Sequence, residues 1–161
     1  MSYRNMFKYI VFICLIIYST PIRADNALVD FGVGVGNSSG SRILSVGVQE
    51  DLLTVFKVRW ITGGWLDRSN DRSSSGYVFG QMGAEIDSGS VLTSVFIGPG
   101  LITEKDDLLG GNIEFLSSLN IGLQDKNRNY LGVGYRHVSN AGLYEPNIGR
   151  DFVVLEFMCP F

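Results

Sequence analysis

The most constraining feature of this chain is a two-residue period. Ile113, Phe115, Ser117, Leu119, Ile121 and Leu123 alternate with Glu114, Leu116, Ser118, Asn120, Gly122 and Gln124. Successive side chains of a strand point to opposite faces, so this stretch has one nearly apolar face and one of polar and small residues. Phe56, Val58 and Trp60 alternate in the same way with Lys57 and Arg59. Cations opposite an aromatic face indicate a polar interior and an apolar exterior. A soluble barrel more often turns its apolar face inward. No helical period of useful length follows residue 24.

The pattern predicts an all-β fold: an eight-stranded antiparallel outer-membrane β-barrel. The strands are expected near 27–36, 42–49, 53–63, 76–87, 91–98, 111–124, 129–139 and 151–161. Short polar turns at 49–52, 87–90 and 124–129 alternate with longer connections at 64–75, 99–110 and 140–150. That alternation matches the periplasmic turns and extracellular loops of outer-membrane barrels. Residues 68–76 are expected to be a polar loop, and Trp60 and Trp65 to be interfacial anchors. The final strand places Val153, Leu155, Phe157, Cys159 and Phe161 on one face and ends on an aromatic residue. This ending resembles the terminal signal of outer-membrane barrels.

The N-terminus predicts export. Arg4 and Lys8 precede an uncharged apolar run at 9–18, and Ala24 ends a plausible cleavage region. The run is short for a spanning helix, which needs about 20 apolar residues. Residues 1–24 are therefore expected to be a signal peptide and 25–161 a single transmembrane barrel domain. The remaining chain would carry ten basic and sixteen acidic residues, a net charge of −6. Such a balance does not favour nucleic acid as a partner. Cys159 would be the one cysteine left, so no internal disulfide is expected. A single histidine without an acidic cluster implies no metal, and no cofactor motif is present. The glycines of 32–36 do not form a nucleotide loop, because no helix follows.

Chemistry concentrates at residues 137–146. His137, the only histidine, stands two positions before Ser139, and Asn140 follows. A base, a hydroxyl nucleophile and an amide donor are the groups acyl transfer requires. His137 and Ser139 share the parity of Leu131, Val133 and Tyr135, so the pair points the way the apolar side chains point. Asp151 shares parity with Val153, Leu155 and Phe157 on the next strand and is expected beside them. Charged groups on a lipid-facing wall are costly. An amphiphilic substrate would account for them.

The stretch Gly134-Tyr135-Arg136-His137-Val138-Ser139-Asn140-Ala141-Gly142-Leu143, with Pro146, Asn147 and Gly149 after it, resembles the signature of the lipid A 3-O-deacylase family (PagL-like outer-membrane enzymes). The resemblance implies a carboxylic ester hydrolase in the bacterial outer membrane. It would remove the 3-O-linked hydroxyacyl chain of lipid A, with lipopolysaccharide as substrate and outer-membrane lipids as surroundings. It implies Ser139 as nucleophile, His137 as base, Asp151 as the acid and Asn140 as the oxyanion donor, together with backbone N–H groups of the glycine-containing turn. The family usually carries glutamate where this chain has Asp151, which is one methylene shorter. Glu145 is the alternative acid. Two other readings stay open: a non-catalytic outer-membrane barrel with a structural or host-contact role, and a periplasmic lipid-binding barrel of lipocalin type.

Overall fold

In a computed structural model, the described residues are 27–37, 41–67, 74–104 and 108–161. The expected signal segment lies outside them. Eight strands follow in order: β1 (Leu28–Gly36), β2 (Arg42–Asp51), β3 (Phe56–Leu66), β4 (Ser74–Asp87), β5 (Val91–Ile102), β6 (Ile113–Gln124), β7 (Tyr130–Ser139) and β8 (Arg150–Pro160). Each pairs antiparallel with its sequence neighbour, and β1 pairs with β8 to close the barrel. Closure leaves no sheet edge with unpaired backbone groups, which hydrocarbon would not tolerate.

The expected parity holds around the wall. Phe31, Val33, Val35, Trp60, Val95, Leu119, Leu131 and Leu155 are exposed on the outside. Asp30, Arg59, Gln81, Asn120, Arg136 and Glu156 are buried inside. Arg59 is ion-paired with Asp30 and donates to Glu156 at 2.9 Å. Arg136 meets Glu156 at 2.5 Å and Ser45 Oγ at 2.8 Å. Charges this deep are tolerated because each is met by an opposite charge and hydrogen bonds.

Three boundaries, both ends of β3 and the end of β5, differ from the sequence expectation by three residues or more. The strand expected at 53–63 runs from Phe56 to Leu66. Lys57 faces Asp51 across the β2–β3 ladder and bonds it at 2.8 Å, so the turn falls at 52–55 rather than 49–52. That turn is apolar, with Leu52, Leu53 and Val55 exposed. The shifted β3 also takes in Trp65, whose side chain lies in the lumen and is 1 % exposed. It stacks on Tyr77 at 5.4 Å and leans on Phe152 at 5.9 Å, so it is no interfacial anchor. Trp60, by contrast, faces outward. Finally, β5 continues past Pro99 to Ile102. The β4–β5 ladder skips Gly98 and Pro99, which is where a residue without an N–H can be housed.

Buried Trp65, Tyr77, Phe79, Phe152, Ile43 and Leu109 form an apolar cluster inside the end of the barrel from which the longer connections emerge. Arg150 lies over Trp65 at 5.9 Å and bonds Asp67 at 3.0 Å. With the lumen filled by side chains, accessible chemistry belongs to the outer wall.

Candidate active site

The outward-facing chemistry gathers where β7 ends and β8 begins. His137 and Asp151 are direct partners in the β7–β8 ladder. Directly opposite residues hold their Cβ atoms about 5 Å apart, so even the short aspartate reaches the ring. His137 Nδ1 lies 2.7 Å from Asp151 Oδ1, with the two side chains 38 % and 32 % exposed. Ser139, the last residue of β7, is two positions along the same face, and its hydroxyl makes no hydrogen bond among the described residues.

The Asp151 carboxylate is held from three sides. Tyr135, two residues before His137, donates its hydroxyl to Oδ1 at 2.5 Å. Asn37, just past β1, donates its amide to Oδ2 at 3.0 Å. The Asn37 N–H also donates to the Asp151 carbonyl at 3.0 Å, which extends the β1–β8 pairing to this level. Neither Asn37 nor Tyr135 was singled out from the sequence. Tyr135 shared the parity of His137 and could have been; Asn37 is 114 residues from Asp151 and carries no local signal.

Gly149 packs against the imidazole. Its φ is +81°, and a Cβ there would lie 2.8 Å from His137 Cε1. The left-handed backbone and the absent side chain together let the loop pass over the ring.

Asn140 differs from expectation. It is fully buried, and its amide N–H groups point to the carbonyls of Leu109 at 2.6 Å, Tyr144 at 3.0 Å and Pro146 at 3.3 Å. Its Oδ1 accepts from the Gly142 N–H at 2.9 Å, and its own N–H donates to Asn147 Oδ1 at 3.0 Å. The side chain expected to serve as oxyanion donor instead fastens residues 140–149 to the neighbouring loop. Ile148 N–H to Leu108 O at 2.9 Å completes that junction. The alternative acid Glu145 is exposed in the same loop and makes no hydrogen bond or ion pair through its side chain among the described residues. No group of three or more His, Cys, Asp or Glu residues able to hold a metal occurs among the described residues.

A family model described as Lipid A 3-O-deacylase (PagL) matches residues 54–159, which include β7, the loop and nearly all of β8. The chain belongs to the lipid A 3-O-deacylase family. It is accordingly an ester hydrolase, and its barrel is that of an outer-membrane enzyme. A crystal structure of the outer membrane enzyme PagL superposes with a TM-score of 0.67 at 21 % identity, covering 83 % of this chain and 99 % of that one. A de novo designed transmembrane β-barrel gives a TM-score of 0.57 at 12 % identity, covering 85 % and 96 %. These two likenesses speak for the fold alone. No curated protein sequence matches the chain.

Proposed function

We propose that this deacylase cleaves the 3-O-hydroxyacyl ester of lipid A on its lipid-facing wall, with Ser139 as nucleophile, His137 as base and Asp151 as the orienting acid. The observation that carries this reading is the 2.7 Å contact between His137 Nδ1 and Asp151 Oδ1 on a largely apolar surface. With Nδ1–H turned to the carboxylate, Nε2 is the nitrogen left to take the Ser139 proton. Serine attack on the ester carbonyl forms a tetrahedral intermediate. Its collapse expels the sugar 3-oxygen, which takes the proton back from His137. Water, deprotonated by the same imidazole, then releases the hydroxy fatty acid and restores the serine.

The oxyanion needs a donor, and the Asn140 side chain is committed to the loop. The backbone N–H groups of Asn140 and Gly142 are engaged as well. That leaves the N–H of Ala141, which makes no hydrogen bond among the described residues and belongs to a residue with φ of 53°. In this reading Asn140 shapes the turn and Ala141 supplies the donor.

The signal segment at 1–24 is part of the same proposal, since the barrel must be exported before it can meet its substrate. Mass spectrometry of lipid A from cells with and without the protein tests the function. Loss of one hydroxyacyl chain is expected. Unchanged masses, with the protein located in the outer membrane, would overturn it in favour of the non-catalytic barrel.

A further inference from the structure

The outward parity of the eight strands is almost free of charge. Only four of its positions carry Asp, Glu, Lys, Arg or His: Arg42, Glu50, His137 and Asp151. Glu50 lies next to the apolar 52–55 turn, at the far end from the site. The other three stand at the same end of the barrel, on β2, β8 and β7, with β1 between β2 and β8. Arg42 opens β2, Asp151 is second in β8, and His137 is two residues from the end of β7.

Arg42 has no partner among the described residues. It is exposed and makes no hydrogen bond or ion pair among the described residues. It is also the one exposed cation described at that end of the barrel. Lys57, Arg59, Arg136 and Arg150 are buried, and Lys126 and Arg128 belong to the opposite turn. A charge on a lipid-facing strand is destabilising unless something in the lipid meets it.

Register fixes its position relative to the candidate site. Arg42 pairs with Val35, Val35 with Val153, and Val153 with Tyr135, whose hydroxyl bonds Asp151. Two strand spacings, about 10 Å, separate β2 from β8. Between them lie the exposed side chains of Val35 and Val153. An apolar strip thus joins a guanidinium without a partner among the described residues to the His–Asp pair.

We infer that Arg42 is a substrate-recognition residue that binds a phosphate monoester on the sugar headgroup while the ester of the same molecule lies at Ser139. The inference rests on the deacylase reading, since lipid A is a phosphorylated glucosamine disaccharide. Guanidinium is suited to the task because its planar fork bonds phosphate oxygens in pairs and it stays charged at any working pH. Arg42 precedes the segment matched by the family model.

The experiment measures kcat and KM for the full-length protein and for Arg42→Gln, Arg42→Lys and Arg42→Glu. Substrates are phosphorylated lipid A and its enzymatically dephosphorylated form, each in neutral detergent micelles without other anionic lipid. Heat-modifiable gel migration confirms that each variant is folded. Arg42→Gln should lower the preference for phosphorylated over dephosphorylated substrate by about 10- to 100-fold, mainly through KM. Arg42→Lys should recover part of it, and Arg42→Glu should lose more than Arg42→Gln. An equal loss on both substrates would overturn the inference, because it would point to membrane seating or structure. So would an unaltered preference. Absence of turnover by the unsubstituted protein on both substrates would overturn the deacylase reading itself, and the inference with it.

Discussion

His137 and Asp151 face each other directly across the β7–β8 ladder, with Nδ1 and Oδ1 2.7 Å apart. Fourteen residues separate them in the chain, yet no loop has to fold correctly for them to meet. Strand register alone brings them together. An aspartate, one methylene shorter than a glutamate, therefore suffices for the contact. Directly across a ladder, the shorter side chain is long enough.

Ser139→Ala and His137→Ala should each reduce turnover by several orders of magnitude, with the barrel intact. Removing a nucleophile or its base leaves only binding and oxyanion stabilisation, as in other serine hydrolases. Both residues face outward at a strand end, away from the buried ion pairs that knit the lumen. Rate assays on purified lipid A, paired with heat-modifiable migration, check both halves. Near-normal turnover by either variant would remove that residue from its role.

Asp151→Ala should lower kcat by roughly 10²- to 10⁴-fold, because the carboxylate orients the imidazole and stabilises its charged form. Asp151→Glu should stay within about tenfold of the parent, since a carboxylate on a longer stem can still meet Nδ1. Glu145→Ala should change little, as its side chain makes no hydrogen bond or ion pair among the described residues. Comparing the three rates side by side locates the acid. A damaged Glu145→Ala beside an undamaged Asp151→Ala would move it into the loop.

Much of this was legible in the sequence because a two-residue period encodes which way each side chain points. Parity alone placed His137, Ser139 and Asp151 on one face and the cations of β3 on the other. Strand ends were not legible. Whether β3 starts at residue 53 or 56 is decided by Lys57 meeting Asp51 across the ladder, and Trp65 changes surroundings as a result. Asn37 was missed for the same reason, since its contact depends on barrel closure. For Asn140 the residue type was informative but its direction was not. An amide can face a substrate or a carbonyl, and only the loop packing decides.

Asn140→Ala should loosen the 140–149 loop. The Asn140 side-chain hydrogen bonds to three carbonyls and from the Gly142 N–H would be lost, each worth about 0.5–1.5 kcal/mol. Asn140→Asp should be no better, because an ionised carboxylate cannot donate to carbonyls. Limited proteolysis should show faster cleavage within the loop while the strands stay protected. Wild-type protease resistance with selective loss of kcat would instead return Asn140 to the oxyanion role.

Gly149→Ala should impair catalysis without unfolding the barrel. The new methyl would sit 2.8 Å from His137 Cε1, and the residue would have to keep a φ of +81°. A left-handed alanine costs about 1–2 kcal/mol, too little to unfold a closed barrel. The imidazole must therefore shift, and with it the geometry toward Ser139. A lower kcat with little change in KM is the expected signature. Unaltered kcat would show that the loop moves rather than the ring.

Asn37 offers the sharpest check on how Asp151 is held. Its amide reaches Oδ2 at 3.0 Å while Oδ1 serves His137 and Tyr135. Asn37→Ala should free one carboxylate oxygen and lower kcat modestly, by about threefold to tenfold, the range of one exposed hydrogen bond. Asn37→Asp is more telling. It would set a second carboxylate beside Asp151, near the imidazole. Added negative charge favours the protonated ring. The base works only when neutral, so the acid limb of the rate–pH profile should move to higher pH. Asn37→Ala should not produce that upward movement. Rate–pH profiles of the parent and both variants, on the same lipid A micelles, decide the matter. Superimposable profiles for Asn37→Asp and the parent would mean that Asn37 does not act on the His137–Asp151 pair.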